Sequence, residues 1–199
     1  MTENQNLDPE TFDLDDWLID AALPEESVDV YKRADVISEL SELKRRIEEL
    51  QDAGNTGEQT AGEKSERSKL EARYTDLLNT FGNSRLTVYV SAIPGEHRKS
   101  LLDAHNARVE SGEIPKEQDG LEFGWLILSE SIVGVKKGDG DRRPVRWTVA
   151  QVKKLKEKVG EVQLLELTKA QRIAQNAIPE VDADFLLTAS GTNSHGTEA

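Results

Sequence analysis

The fold of this chain is decided by the stretch Val36-Ile-Ser-Glu-Leu40-Ser-Glu-Leu43-Lys-Arg-Arg-Ile47-Glu-Glu-Leu50. Its apolar residues recur at alternating intervals of four and three, the period of a helix that buries one seam against a partner helix. Glu, Lys and Arg occupy most of the positions between them, as is usual on the solvent side of such a helix. The stretch therefore predicts a charged amphipathic helix with a seam formed by Val36, Leu40, Leu43, Ile47 and Leu50.

A second seam with similar spacing follows a polar, glycine-containing break at residues 52–62. This second seam consists of Leu70, Tyr74, Leu77 and Phe81. Gly82 then provides a helix stop. Each seam is too short for a helix that is stable alone in water. We therefore expect helices at about residues 31–52 and 63–82 to pack as an antiparallel hairpin; the alternative is that each packs separately on the C-terminal region.

Short strand patterns flank the predicted hairpin on both sides. Apolar and polar residues alternate in Ser27-Val-Asp-Val-Tyr31 and again in Leu86-Thr-Val-Tyr-Val-Ser-Ala-Ile93. An antiparallel hairpin brings its own two ends together, so we expect these segments to pair as an antiparallel ribbon. Two strands alone are marginally stable, which requires the helices that follow to cover one face.

The rest of the chain has a mainly helical pattern. We predict helices at residues 94–110, 121–135, 149–159 and 161–177, with polar loops at 111–119 and 136–146. Thr148 is the expected N-cap of the third of these helices, and Gly160 is expected to separate the third from the fourth. Residues 181–187 form a short apolar segment.

The predicted fold class is mainly α, with an antiparallel helical (coiled-coil) hairpin inserted between two short paired β-strands. A small C-terminal helical domain follows, and both termini are expected to be disordered. The predicted regions are an acidic N-terminal arm (1–26), a strand–hairpin–strand unit (27–93), a C-terminal helical domain (94–187) and a polar tail (188–199).

Composition narrows the classes of function. Only 36% of the residues are hydrophobic, 32% are charged and the net charge is −13. Residues 1–30 contain many acids and no Lys or Arg, a distribution that disfavours binding to nucleic acid or anionic lipid. The chain has no cysteine, and no apolar stretch approaches the roughly 20 residues of a membrane span. Because the first residues are acidic and lack a signal-peptide pattern, we expect a cytosolic protein.

The acidic arm contains the main candidate residues for partner binding. Four Asp alternate with the apolar residues Phe12, Leu14, Trp17, Leu18 and Leu23. The segment is expected to be either a short amphipathic helix that ends before Pro24 or an extended peptide. Its aromatic residues can anchor a partner while its carboxylates steer it toward a basic surface. The alternative is that Trp17 and its neighbours fold back onto the protein's own ribbon.

Other side chains that can carry chemistry fit ordinary structural roles better. His97 and His105 are expected on the surface, because their spacing matches no zinc motif, and His195 lies in the tail. The basic segment 136–147 is expected to be a loop, with nucleic-acid binding as a weaker alternative. No nucleophile, acid–base or phosphate-binding motif is present, so we expect no enzyme activity, no cofactor and no metal.

The order of these motifs resembles a known family. The succession of Phe12-Asp-Leu-Asp-Asp-Trp17-Leu, Pro24-x-x-Ser27-Val-x-Val-Tyr31, a charged coiled hairpin and Leu86-Thr-Val-x-Val resembles tail assembly chaperones of long-tailed (siphovirus-type) phages and prophages of actinobacteria. The C-terminal half is similar in outline, with helices, a tryptophan-containing segment, Asn176 and a final Asp182-Ala-Asp-Phe-Leu stretch.

The resemblance implies a non-enzymatic assembly factor of the host cytoplasm. Such a protein binds the tape measure protein, promotes assembly of the tail tube and leaves before the virion matures; a longer form often arises by frameshifting. The major tail protein is a second expected partner, and the seams also allow self-association. The alternatives are a structural virion component or coiled-coil adaptor and, less favoured, a nucleic-acid-binding regulator that uses residues 136–147.

Overall fold

The computed structural model describes residues 13–56 and 61–177. Most of the described residues are helical, which confirms the predicted fold class. In chain order the helices and strands are α1 (Leu14–Trp17), β1 (Glu25–Tyr31), α2 (Ile37–Thr56), α3 (Ala61–Gly82), β2 (Arg85–Ser91), α4 (Gly95–Glu110), α5 (Asp119–Ser131), β3 (Ile132–Lys137), β4 (Arg143–Pro144), α6 (Val149–Val159) and α7 (Glu161–Asn176). Single 3-10 turns at Ala34–Val36 and Lys116–Gln118 precede α2 and α5.

The two predicted strands pair as the alternation of their residues indicated. β1 and β2 are antiparallel, with Val28 opposite Val88 and Val30 opposite Leu86. Because side chains alternate between the faces of a strand, this register places these four apolar residues on one face. The prediction that the segments flanking the hairpin lie side by side is confirmed.

The sheet is larger than the predicted ribbon, because β3 and β4 extend it to the order β1-β2-β3-β4. The prediction of one helix over residues 121–135 is therefore wrong at its C-terminal end. α5 ends at Ser131, and the β-branched residues Ile132, Val133 and Val135 continue as a strand beside β2. The predicted loop at 136–146 is wrong in the same way, since its first two residues belong to β3 and Arg143–Pro144 forms β4.

One face of this sheet carries the main core. Val30, Val88, Val90 and Ile132 pack there against α5, α6 and α7. α7 contributes residues spaced three apart, which form one stripe of a helix; these are Leu164, Leu167 and Ala170. This core therefore joins residues from the predicted 27–93 and 94–187 regions.

The hairpin has its own smaller core. Val36, Leu40 and Leu77 are buried, and Leu43, Tyr74 and Phe81 pack against them. The remaining seam residues are half-buried; these are Ile47, Leu50 and Leu70. Two ion pairs link the antiparallel helices, Arg46 with Glu66 at 3.0 Å and Arg73 with Glu39 at 2.9 Å.

The bounds of the hairpin helices differ from the prediction of 31–52 and 63–82. Tyr31 is the last residue of β1, and α2 starts only at Ile37, after the 3-10 turn. α2 continues to Thr56 and α3 starts at Ala61, so the break is shorter than residues 52–62. Each added residue closes one more helical hydrogen bond, and propagation is much easier than initiation.

The hairpin leaves the sheet at the end where β1 finishes and β2 begins. The Tyr31 and Phe81 rings stack there with centroids 4.2 Å apart. The Ser84 hydroxyl donates to the Phe81 carbonyl at 2.7 Å and accepts from the Arg33 amide at 3.3 Å. These contacts fix the direction in which the helices leave the sheet.

The C-terminal helices begin and end as their sequence indicates. Thr148 caps α6, as predicted, and the cap is a reciprocal capping box with Gln151. Gly160 separates α6 from α7 with φ of 87°, a conformation that L side chains rarely adopt. Within the described residues, no helix is both long and apolar enough to cross a membrane.

Candidate docking site

The acidic arm forms a single helical turn that is exposed along its length. The Asp13 carboxylate caps α1, accepting from the Asp15 amide at 2.9 Å and the Asp16 amide at 3.3 Å. Acidic residues in a first helical turn also interact favourably with the helix dipole. The helix is therefore much shorter than the expected one, because it ends at Trp17 rather than just before Pro24.

The apolar residues of the arm are not covered by the rest of the described chain. Their exposed fractions run from 43% for Leu18 to 74% for Ile19, with Trp17 at 68%; the others are Leu14 and Leu23. Folding back onto the protein's own sheet, the alternative interpretation of the arm, is not what the structure shows. Phe12 lies outside the described residues.

The carboxylates of the arm are not neutralised by basic residues of the described chain. Asp13, Asp15, Asp16 and Asp20 form no ion pair with a residue in the described ranges. An exposed tryptophan among leucines, surrounded by unpaired carboxylates, combines a hot-spot anchor with an electrostatic field that attracts a basic partner. The arm is therefore a candidate docking site in both its geometry and its charge.

A cleft of about 720 Å³ opens at the root of the arm, where Leu23 is one of its lining residues. Ile93, Val133, Val145 and Trp147 contribute apolar walls. His97, Glu130 and Arg146 are polar residues of the lining. The sequence did not predict this cleft, because its walls come from segments that are far apart in the chain. The adjacent Arg146 and Trp147 were the one sequence feature that could have indicated a binding surface here.

The basic segment 136–147 is partly neutralised by the protein itself. Arg142 forms an ion pair with Glu25 at 2.8 Å and lies over the Tyr89 ring, 4.4 Å from its centroid. The hydrogen bond with Glu25 raises the pKa of Arg142 above its usual range. Arg143 and Arg146 form no ion pair with described residues. Nucleic-acid binding would therefore have to use only part of the segment.

The two histidines of α4 have different environments. His97 is exposed, as predicted, with its Nε2 3.3 Å from a Glu130 oxygen. The prediction of a surface position is wrong for His105, which is buried, with its Nε2 2.7 Å from Asp119 Oδ1. The Phe123 ring packs against His105 at a centroid distance of 5.2 Å. In the part of the chain that the structure describes, no group of three candidate ligands could hold a metal ion.

No protein-family model matches the chain, and no curated protein or solved structure matches it either. The interpretation of the arm and the cleft therefore depends on their own geometry and chemistry.

Proposed function

We propose that this protein is a tail assembly chaperone of a long-tailed phage or prophage, which binds the tape measure protein and promotes assembly of the tail tube without catalysing a reaction. The observation that carries the proposal is the exposed acidic arm, where Trp17 and Leu18 are available to a partner. The order of motifs along the chain, which resembles that family, supplies the identity of the partner.

The chemistry of the arm suits a long helical client. An amphipathic helix presents apolar residues at intervals of three and four, which pack well on exposed tryptophan and leucine side chains. Basic residues beside those positions would meet Asp15 and Asp16. The net charge of −13 favours solubility of a protein whose apolar residues are exposed before the client binds.

Other surfaces can contribute to the same task. Ile37 and Leu78 are exposed on the hairpin helices and offer a second apolar contact. The major tail protein is the second proposed partner, since tube assembly requires both proteins together. The proposed place of action is the host cytoplasm.

Co-expression with the tape measure protein encoded beside it tests the proposal. The tape measure protein should remain soluble with the unaltered chain and co-purify with it. It should aggregate when the Trp17→Ala variant replaces the unaltered chain, because the anchor of the arm is lost. Unchanged solubility without a complex would contradict the proposal.

Mass spectrometry of purified particles separates a chaperone from a structural virion component. A chaperone leaves before maturation, so its peptides should be absent from mature virions but present in assembly intermediates. A stoichiometric amount in mature particles would instead support the structural role. The same sample contains the major tail protein, which serves as the internal standard.

A further inference from the structure

The root of the arm and the last turn of α7 both lie at the cleft. Leu23, at the root of the arm, lines it. At the other end, the Gln175 side chain in the last turn of α7 accepts from the Ile93 amide at 3.0 Å and donates to the Ile93 carbonyl at 3.2 Å. Ile93 is itself a lining residue. The described chain therefore ends two residues after a side chain that is hydrogen-bonded to a wall of the cleft.

The cleft combines apolar walls with unpaired positive charge. Its volume of about 720 Å³ is enough for several side chains. Arg146 lines it and is not paired with a described carboxylate. The one carboxylate of the lining, Glu130, already contacts His97 at 3.3 Å. This chemistry fits a peptide that carries both carboxylates and large apolar side chains.

Such a peptide follows α7 directly in the sequence, as Val181-Asp-Ala-Asp-Phe185-Leu-Leu187. It offers two carboxylates, either of which can pair with Arg146, and an aromatic residue with two leucines for the walls. At about 3.3 Å per residue, residues 178–185 can span up to about 26 Å, which is ample reach from a starting point beside Ile93.

We infer that this cleft is the docking site of segment 181–187 of the same copy of the chain. The short link from Ala177 gives the segment a high effective concentration at the cleft, so modest contacts suffice to hold it. The acidic arm has similar chemistry, but only Leu23 at its root lines the cleft, and Leu14, Trp17 and Leu18 are exposed and outside the lining. Cleft and arm therefore have separate occupants: the cleft holds the C-terminal segment, and the arm remains open to a partner. This inference does not depend on the proposed function.

A spin label tests the inference on the full chain. The protein has no cysteine, so Thr188→Cys provides a single labelling site next to the segment. The unpaired electron broadens the amide signals of nearby nuclei. We expect the signals of Ile93, Val145 and Trp147 to lose intensity with the active label and to recover when the label is reduced.

Two sets of variants identify the contacts. Phe185→Ala combined with Leu186→Ala should abolish the loss of intensity, because the apolar anchors are removed. Arg146→Gln should weaken it by removing the charge partner. Lys154→Gln makes the same change of charge on an exposed α6 residue that does not line the cleft, so it should leave the effect unchanged.

Three results would overturn the inference. The first is an absence of broadening at the cleft amides. The second is broadening only when the label is on one chain and the observed isotope is on another, which would make the occupant a second copy. The third is broadening from a label at Leu14→Cys but not from Thr188→Cys, which would make the arm the occupant.

Discussion

At the residue scale, the buried histidine is the side chain whose environment differs most from expectation. His105 lies on α4 with its ring against Phe123 and its Nε2 2.7 Å from Asp119 Oδ1, which ties α4 to the start of α5. A buried polar group that has a hydrogen-bond partner stabilises a fold modestly, whereas loss of the partner or of the packed ring is costly. His105 is therefore a structural residue rather than a ligand.

Replacement of His105 by Ala tests this role. The variant loses the ring packing and leaves Asp119 without its partner, so we expect the free energy of unfolding to fall by about 1–3 kcal/mol. Urea denaturation measures the change. His97→Ala, on the same helix but exposed, is the matched control and should stay within about 0.5 kcal/mol of the unaltered protein. Equal effects of the two substitutions would contradict the structural role of His105.

At the element scale, the hairpin shows why part of the fold follows from the sequence. The four–three spacing of the seams predicts two helices, and closure of the hairpin predicts that β1 lies beside β2. The strand β3 was missed because the apolar residues on both sides of Ser129-Glu130-Ser131 were assigned to one helix, and in short apolar runs periodicity does not separate a buried helix from a buried strand. The burial of His105 was missed because its partner Asp119 is fourteen residues away in the chain.

The hairpin seam can be tested with two adjacent leucines. Leu77 is buried in the hairpin core, while Leu78 is 43% exposed. Leu77→Ala leaves a cavity between α2 and α3, so we expect a loss of about 2–4 kcal/mol in the free energy of unfolding. Leu78→Ala should cost less than about 0.5 kcal/mol. Urea denaturation measures both losses. A larger loss for Leu78→Ala than for Leu77→Ala would show that Leu78, rather than Leu77, faces the partner helix.

The cap of α6 provides an independent prediction. Thr148 accepts from the Gln151 amide, and the Gln151 side chain accepts from the Thr148 amide. Thr148→Ala removes one half of this reciprocal pair, and we expect a loss of about 1 kcal/mol in thermal or urea unfolding. Thr80→Ala, at a half-buried position within α3, removes a hydroxyl that caps no helix start, and it should have a smaller effect. A larger effect at Thr80 would argue against the cap.

At the scale of the whole molecule, residues 13–56 and 61–177 form two separate core clusters. One lies between the sheet and α5–α7, and the other lies within the hairpin. The pairing of Tyr31 with Arg85 closes the sheet immediately below the hairpin. The hairpin is thus an insertion between β1 and β2. A short turn can replace it without changing the register in which the two strands pair.

Replacement of residues 34–83 by an Asn-Gly turn tests this division. The strands then form an ordinary hairpin, and we expect the sheet core to remain folded. Near-ultraviolet circular dichroism from Trp125 and Trp147 should be retained, with cooperative unfolding. Val88→Asp places a charge in the fully buried sheet core. It should abolish the near-ultraviolet circular dichroism and the cooperative unfolding transition. Loss of the signals in the shortened chain would instead mean that the two cores are interdependent.

The proposed function depends on the arm, and its affinity for the client tests that dependence most directly. Leu18 on the arm and Leu102 on α4 are the same residue type with nearly equal exposure, 43% and 41%. For the tape measure protein, we expect Leu18→Ala to weaken binding about tenfold, a loss of about 1.4 kcal/mol. Leu102→Ala should leave the dissociation constant unchanged. Equal dissociation constants for the unaltered protein and both variants would contradict the account.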